Sequence, residues 1–264
     1  MDINKIFQLQ DLAVPLNRQG FARELQWCHH AIELALDSHV FLANDPEILA
    51  YRKNLRDSDI KEFKFMNVVV NLAYDSMGTL ISALRLLEYG VFGDAWALIR
   101  VAFESTCYSE YFTLNKEKVP DFIKIGEGVQ NDLSTNVLQM LNKSNLKVSN
   151  IIDFLQKHDK ENRRTFYARL CNMGVHALPL RVSPRISVTE KEFRAYLSIE
   201  HPYLRQCIAD LAATAKYTSG IPFEAWPDLM QKEPTLVIRY KALEEEYKHI
   251  FQVALQSTSE EVNS

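Results

Sequence analysis

The sequence predicts an all-α fold, a single-domain bundle of eight or nine helices around one long antiparallel helical hairpin. Apolar residues recur at the three- and four-residue spacing of a helix along most of the chain, and almost no segment shows the alternation of a strand. Glycine and proline are scarce, at 8 and 9 of 264 residues, which disfavours a turn-rich all-β fold. No shift in composition marks a boundary, so we expect residues 1–264 to form one domain.

The most apolar part of the chain forms the predicted hairpin. Its first helix covers 60–89 and is apolar well beyond one stripe, which indicates the most buried element. Gly90 follows in the position that favours glycine after a helix, and Asp94 is placed to cap a second helix over 95–115. A connection this short predicts two antiparallel neighbours, and we expect the other helices to pack around them.

The remaining helices are predicted from their apolar stripes and from the prolines and glycines at their ends. The candidate segments are 21–43, 46–56, 120–140, 148–158, 162–177, 189–198, 202–219 and 235–255, which with the hairpin give ten segments for the eight or nine helices expected. Between them, 178–188 is interpreted as a loop or a small hairpin and 222–234 as a linker. The polar tail 256–264 is expected to fray.

Composition and charge narrow the class of protein. The net charge is −4, so we do not expect a uniformly basic surface that binds nucleic acid non-specifically. The N-terminus lacks a signal-peptide pattern, and charged residues interrupt the most apolar segment, 65–87, which predicts a core helix and no membrane partner. The four cysteines are widely spaced without a CxxC pair, which favours reduced thiols in a cytoplasmic protein.

Arg100 and Glu104 are charged residues inside the apolar second helix of the hairpin. They are four residues apart and therefore share a face, where each neutralises the other. Two interpretations remain open. Either the pair orders the core, or Glu104 orients an arginine or a histidine that another helix contributes to a binding or catalytic site.

A second set of polar residues lies on the helix predicted over 162–177. Arg169 and His176 are seven residues apart, two helical turns, with Asn172 between them on the same face. Such a face suits phosphate chemistry, because arginine stabilises negative charge in the transition state, histidine transfers a proton and asparagine orients the reactants. The other interpretation is that Arg169 and His176 are structural.

The segment around these residues is locally basic. Eight basic and four acidic residues lie between positions 159 and 194, a local net charge of +4. This balance suits an anionic ligand such as RNA, for which Arg163 and Arg164, together with Arg100, are candidate binding residues. A solvated basic surface without a ligand is the alternative.

Both segments resemble HEPN-like proteins. The stretch 93–104 resembles the HEPN hairpin helix, in which an arginine and a glutamate recur among apolar residues. Arg169 and His176, with six residues between them, resemble the HEPN motif, in which histidine follows arginine after four to six residues. The resemblance is to the poorly characterised bacterial branch. It implies a HEPN-like core at about 60–177, with the C-terminal helices of 189–255 packed on it.

The resemblance also implies a function. Many HEPN proteins are metal-independent endoribonucleases that act as toxins in toxin–antitoxin systems or in antiviral defence. They work as homodimers whose arginines and histidines line a shared cleft, and no cofactor is expected. For this chain the resemblance implies that Arg169 and His176 are catalytic, that Asn172 and Glu104 support them, and that RNA is the substrate. An antitoxin or another regulatory protein is a further expected partner.

Two other functions stay open. Leu170 follows Arg169 where many active members carry a polar residue, which favours a non-catalytic helical protein that binds a ligand or a partner in a regulatory or defence system. A di-metal helical-bundle enzyme requires two Glu-x-x-His pairs, and the sequence has one, Glu246 with His249. We therefore expect no metal site.

Overall fold

Helices dominate the computed structural model of the chain. The structure describes residues 3–45, 60–131, 136–174 and 202–252. Within these ranges it contains helices and no β-strand, so the all-α prediction is confirmed.

The described helices are numbered here in chain order. They are α1 Ile3–Gly20, α2 Ala22–Asn44, α3 Ile60–Glu88, α4 Phe92–Leu114, α5 Val119–Asn131, α6 Val137–Lys143, α7 Val148–Asp159, α8 Arg163–Gly174, α9 Pro202–Ala225, α10 Pro227–Met230 and α11 Pro234–Tyr247. A 3₁₀ turn, Lys116–Lys118, precedes α5, and a π-helical turn, Lys248–Gln252, follows α11. The elements predicted at 46–56, 178–188 and 189–198 lie outside the described residues.

The predicted hairpin forms from α3 and α4, and its turn is closed by hydrogen bonds around Gly90. Gly90 has a φ of 73°, a left-handed conformation that glycine adopts without steric cost. The Gly90 amide donates to the Leu87 carbonyl at 2.9 Å, and the Val91 amide donates to the Leu86 carbonyl at 2.8 Å. These two bonds form a Schellman motif, so Gly90 ends α3 as the sequence predicts.

The prediction that Asp94 caps α4 is wrong. The helix begins at Phe92, with Val91 at the N-cap position and no side-chain cap. Phe92 is buried, and its ring packs edge-on against Trp96 with 5.9 Å between ring centroids. Because this packing draws the first turn into the helix, Asp94 lies inside that turn, where the helix dipole favours its carboxylate.

The helix expected over 120–140 is interrupted. Asn136 has a ψ of 84° and is not helical, and its side chain caps α6 by accepting from the Gln139 amide at 3.0 Å. An asparagine that caps in this way favours the start of a new helix. The apolar stripe continues across the break and therefore does not reveal where the first helix ends. The sequence also did not single out α1 as a helix.

The helix expected to end at Gly220 continues to Ala225 as α9. Ile221 is buried, and the Phe223 ring stacks on Tyr240 of α11 at 4.3 Å between centroids. Tertiary packing of these two side chains holds the last turn of α9 in spite of the glycine and proline that predicted a stop.

A buried hydroxyl cluster fastens α9 to the hairpin. Ser76 Oγ lies 2.9 Å from Thr106 Oγ1 and 3.1 Å from Thr218 Oγ1. The two threonine hydroxyls are 2.8 Å apart. A hydroxyl both donates and accepts, and Ser76 and Thr218 also donate to the carbonyls of Ala102 and Thr214, so each of the three groups has partners in the interior. The cluster fixes the position of α9, which carries the acidic residue of the site described next.

Candidate functional site

Arg169 of α8 forms an ion pair with Asp210 of α9. Its Nη2 donates to Asp210 Oδ1 at 2.6 Å, and its Nε donates to Oδ2 at 3.3 Å. The Asp210 side chain is 1% exposed, whereas 40% of the Arg169 side chain is exposed. A carboxylate in the interior therefore holds a cation at the surface, and the two parallel contacts fix the plane of the guanidinium.

Two further side chains hold Asp210. Trp96 of α4 donates from Nε1 to Oδ2 at 2.8 Å, and Gln206, one turn earlier on α9, donates from Nε2 to Oδ1 at 3.0 Å. Burial raises the pKa of the Asp210 carboxyl, while Arg169 and the other donors act in the opposite direction. Each oxygen of this carboxylate accepts two hydrogen bonds, so its orientation is fixed.

A cavity of about 260 Å³ opens beside this ion pair. Ala209 and Ala213 lie one turn apart on α9, and their small side chains leave the space open. The described residues that line it are Asn162, Thr165, Phe166, Arg169, Gln206, Ala209, Asp210, Ala213, Tyr217, Tyr247 and Phe251. One space is thus surrounded by a fixed cation, amide groups and aromatic rings.

The structure does not bring Glu104 to Arg169. Glu104 Oε1 accepts from Arg100 Nε at 2.8 Å and from the Tyr167 hydroxyl at 2.7 Å. Tyr167 and Arg169 are two residues apart on α8, about 200° around the helix axis, so they point to opposite flanks. Arg100 and Glu104 form the intrahelical pair that their spacing predicts, with each side chain 26% exposed.

Arg163 lies in the interior. Its Nη1 donates to Glu110 Oε2 and its Nε donates to Asp159 Oδ2, both at 2.5 Å. The guanidinium carbon lies 4.2 Å from the centre of the Tyr217 ring, and 6% of the side chain is exposed. Burial raises the pKa of Glu110 to about 7 in spite of this arginine. Arg163 is therefore enclosed by structural partners and does not present its charge to a ligand.

The other predicted residues lie at the surface or beyond the described chain. Arg164 is 71% exposed and donates to Asp153 at 2.9 Å. Asn172 is exposed on α8, about 60° around the helix axis from Arg169. His176 lies outside the described residues, so its position relative to Arg169 stays a prediction from the sequence.

Asp210, Trp96 and Gln206 are not identified by sequence reasoning. A signal was present, because Asp210 is the one acidic residue between positions 204 and 215 of a largely apolar helix. A carboxylate in such a place requires donor partners. The sequence could not show that one of those partners, Arg169, comes from 41 positions away.

Two larger cavities, of about 340 and 310 Å³, lie along α2. The smaller of them contains Arg18, which pairs with Glu88 at 2.9 Å but is 61% exposed. The Glu88 side chain is 9% exposed, so this carboxylate is less enclosed than Asp210. Arg169 is the stronger candidate, because its partner Asp210 is the more deeply buried of the two carboxylates and accepts hydrogen bonds from three side chains.

Neither a membrane span nor a metal centre is found in the part of the chain that the structure describes. No helix there combines the length and apolar character needed to cross a membrane. In the same ranges, no three His, Cys, Asp or Glu side chains form a group that could hold a metal ion.

The chain matches no protein-family model, no curated protein and no solved structure. Within the residues that the structure describes, Arg169 with its cavity is the arrangement that offers most to a ligand.

Proposed function

We propose that this protein is a HEPN-like endoribonuclease in which Arg169 binds the phosphate that is cleaved. The observation that carries the proposal is the guanidinium of Arg169, half exposed at the edge of a cavity and held in place by the buried Asp210. An arginine oriented in this way suits a phosphate, because its planar donors match the phosphate oxygens.

Arg169 keeps donor groups for a ligand. Asp210 engages its Nε and Nη2, and the Nη1 group has no hydrogen-bond partner among the residues that the structure describes. When RNA is cleaved, the ribose 2′-oxygen attacks phosphorus, the bond from phosphorus to the 5′-oxygen breaks, and negative charge develops on the phosphate oxygens. A guanidinium that is already oriented stabilises this charge without reorganisation.

His176 is the residue that we propose for proton transfer. The 2′-hydroxyl must lose a proton and the leaving 5′-oxygen must gain one, and histidine serves both steps near neutral pH. The basis is the spacing of His176 from Arg169 and the HEPN resemblance, which also imply that Asn172 orients the reactants. The same resemblance implies a homodimer that acts as a toxin or in phage defence.

Cleavage of a labelled single-stranded RNA tests the proposal with purified wild type, Arg169→Ala and His176→Ala. We expect each variant to lose activity by about 100-fold or more, the usual effect of removing a transition-state donor or a proton-transfer group. Arg239→Ala is the matched control, because Arg239 is also 40% exposed and paired with an aspartate, Asp37, and does not line this cavity. Activity should persist in the presence of a chelator.

In cells, expression of the wild type is expected to arrest growth and to degrade total RNA, and His176→Ala is expected to do neither. Melting curves establish that each variant is folded. If both Arg169→Ala and His176→Ala cleave RNA as the wild type does, the proposal is wrong.

A non-catalytic ligand-binding protein is the second candidate, and one observation favours it. Among the cavity-lining residues that the structure describes there is no histidine or lysine, and both oxygens of Asp210 already accept hydrogen bonds. Under this alternative the wild type binds RNA without cleaving it, and Arg169→Ala weakens binding.

A further inference from the structure

We propose that the cavity beside Arg169 is a subsite for one unpaired nucleobase, which belongs to the nucleotide whose phosphate Arg169 binds. This inference rests on the proposed function and adds to it the part of the RNA that the cavity recognises. It requires that the base leave any base-paired helix before it can enter.

The size of the cavity suits one base. Its volume of about 260 Å³ is just below the range of ~300–1,000 Å³ that is typical of sites for drug-sized ligands. Ala209 and Ala213 create the space on α9, and Phe166 lines it from α8. A larger side chain at either alanine would fill the space that the base occupies.

Four of the eleven described lining residues are aromatic, and Asp210, which is buried, is the one acidic residue among these eleven. Tyr247 and Phe251 lie side by side, with 5.2 Å between ring centroids, and Phe166 and Tyr217 complete the aromatic part of the wall. Burial raises the pKa of both Tyr217 and Tyr247, so their hydroxyls stay neutral at physiological pH. Stacking on aromatic side chains is the usual way in which proteins hold an unpaired base.

The cation and the aromatic wall are close enough to serve one nucleotide. The guanidinium carbon of Arg169 lies 5.3 Å from the centre of the Phe166 ring. A phosphate on Arg169 therefore places the attached sugar and base at the mouth of the cavity. A phosphate alone would use only the cation, whereas a nucleotide uses both the cation and the aromatic wall.

Binding of two matched oligonucleotides tests this inference. Both are short 2′-O-methyl single strands, which cannot be cleaved through the 2′-oxygen, and one of them lacks all its bases. We expect the wild type to bind the base-bearing strand about 5- to 150-fold more tightly, the ratio that corresponds to the ~1–3 kcal/mol of stacking for one base. Fluorescence anisotropy at one fixed salt concentration measures both affinities.

Filling the cavity should remove this preference. Ala213→Leu is expected to bring the affinities for the two strands to within about twofold of each other, because stacking is lost while Arg169 still binds phosphate. Thr165→Leu is a second variant, which narrows the cavity from an exposed position without adding an aromatic ring, in case a leucine at 213 disturbs folding. Ala168→Leu is the matched control, since Ala168 is exposed on α8 and does not line the cavity.

The outcomes separate this inference from the proposed function. If the wild type binds both strands equally and Arg169→Ala weakens both, Arg169 binds phosphate and the base subsite is wrong. If Ala213→Leu and Thr165→Leu are folded and keep the full preference for bases, the subsite is also wrong. If the wild type binds neither strand, both the subsite and the endoribonuclease proposal are overturned.

Discussion

Arg163 and Arg169 lie six residues apart on the same helix, and their surroundings differ. The Arg163 side chain is 6% exposed and lies between the carboxylates of Glu110 and Asp159. The Arg169 side chain is 40% exposed and contacts one carboxylate, that of Asp210. All three nitrogens of the Arg163 guanidinium donate to those two partners, whereas Arg169 uses two nitrogens toward Asp210.

Burial decides the role of each of these two cations. When carboxylates and an aromatic ring enclose an arginine, its charge is compensated inside the protein and it contributes to the fold. When only the carboxylate is buried, the same contact orients the guanidinium and leaves part of it to solvent. Arg163 therefore belongs to the core, and Arg169 is the arginine of this helix that is arranged to bind an anion.

Replacing Arg163 with alanine is expected to have the largest effect on stability. The change leaves Glu110 buried without its cation, and breaking a buried pair from one side costs about 3–5 kcal/mol of unfolding free energy. Urea denaturation at pH 8 measures this loss of unfolding free energy. The double variant Arg163→Met, Glu110→Leu removes both charges and should regain much of the loss. A cost below about 1 kcal/mol would mean that Arg163 is not a core cation.

Stability is expected to depend on pH through Glu110. Burial raises the pKa of this carboxyl from its ordinary value of 4.5 to about 7, with Arg163 opposing the shift and Glu224 and Asp159 adding to it. Because the folded state binds this proton more tightly than the unfolded state, the contribution is fully present below pH 4.5 and is lost as the pH rises to about 7.

Glu110→Gln removes this titration and so isolates it. The variant should have a flatter profile of unfolding free energy between pH 4.5 and 7 than the wild type, by an amount on the order of 3 kcal/mol. Urea denaturation at several pH values measures both profiles. Equal slopes in the two proteins would assign the pH dependence to other groups.

Trp96→Phe is expected to lower the unfolding free energy by an intermediate amount. It acts on the cluster of Arg169, Asp210 and Gln206, not on that of Arg163 and Glu110. It keeps an aromatic ring but removes the indole donor to Asp210, which costs about 1–3 kcal/mol because the carboxylate is buried. The pH dependence that we assign to Glu110 should remain, since Trp96 contacts the Arg169 cluster. Denaturation at pH 5 and at pH 8 measures both quantities, and a loss of the pH dependence would show that the two clusters are coupled.

Arg164→Ala is expected to have the smallest effect. Arg164 is 71% exposed and its partner Asp153 is 37% exposed, and surface pairs of this kind contribute less than about 1 kcal/mol. The variant should unfold within that margin of the wild type. A larger loss of unfolding free energy would show that the exposure of an arginine of α8 does not predict its contribution to stability.

The sequence predicted those features that depend on residues close together in the chain. Helical periodicity predicts the all-α class, and the pairing of α3 with α4 follows from the short turn at Gly90. The Arg100–Glu104 contact follows from its four-residue spacing. Prediction was poorer at Asn136 and Gly220, where a cap and the packing of Ile221 outweighed the apolar pattern and the stop signal.

That α8 carries arginines on several faces follows from their positions in the chain, whereas which of these arginines is buried follows from the packing of the other helices. Arg163 meets Glu110 from 53 positions away, and Arg169 meets Asp210 from 41 positions away. Spacing along a helix gives the angle between two side chains around the helix axis, but it does not give which neighbouring helix covers each face. The burial of a carboxylate, and with it the role of its arginine, depends on that packing.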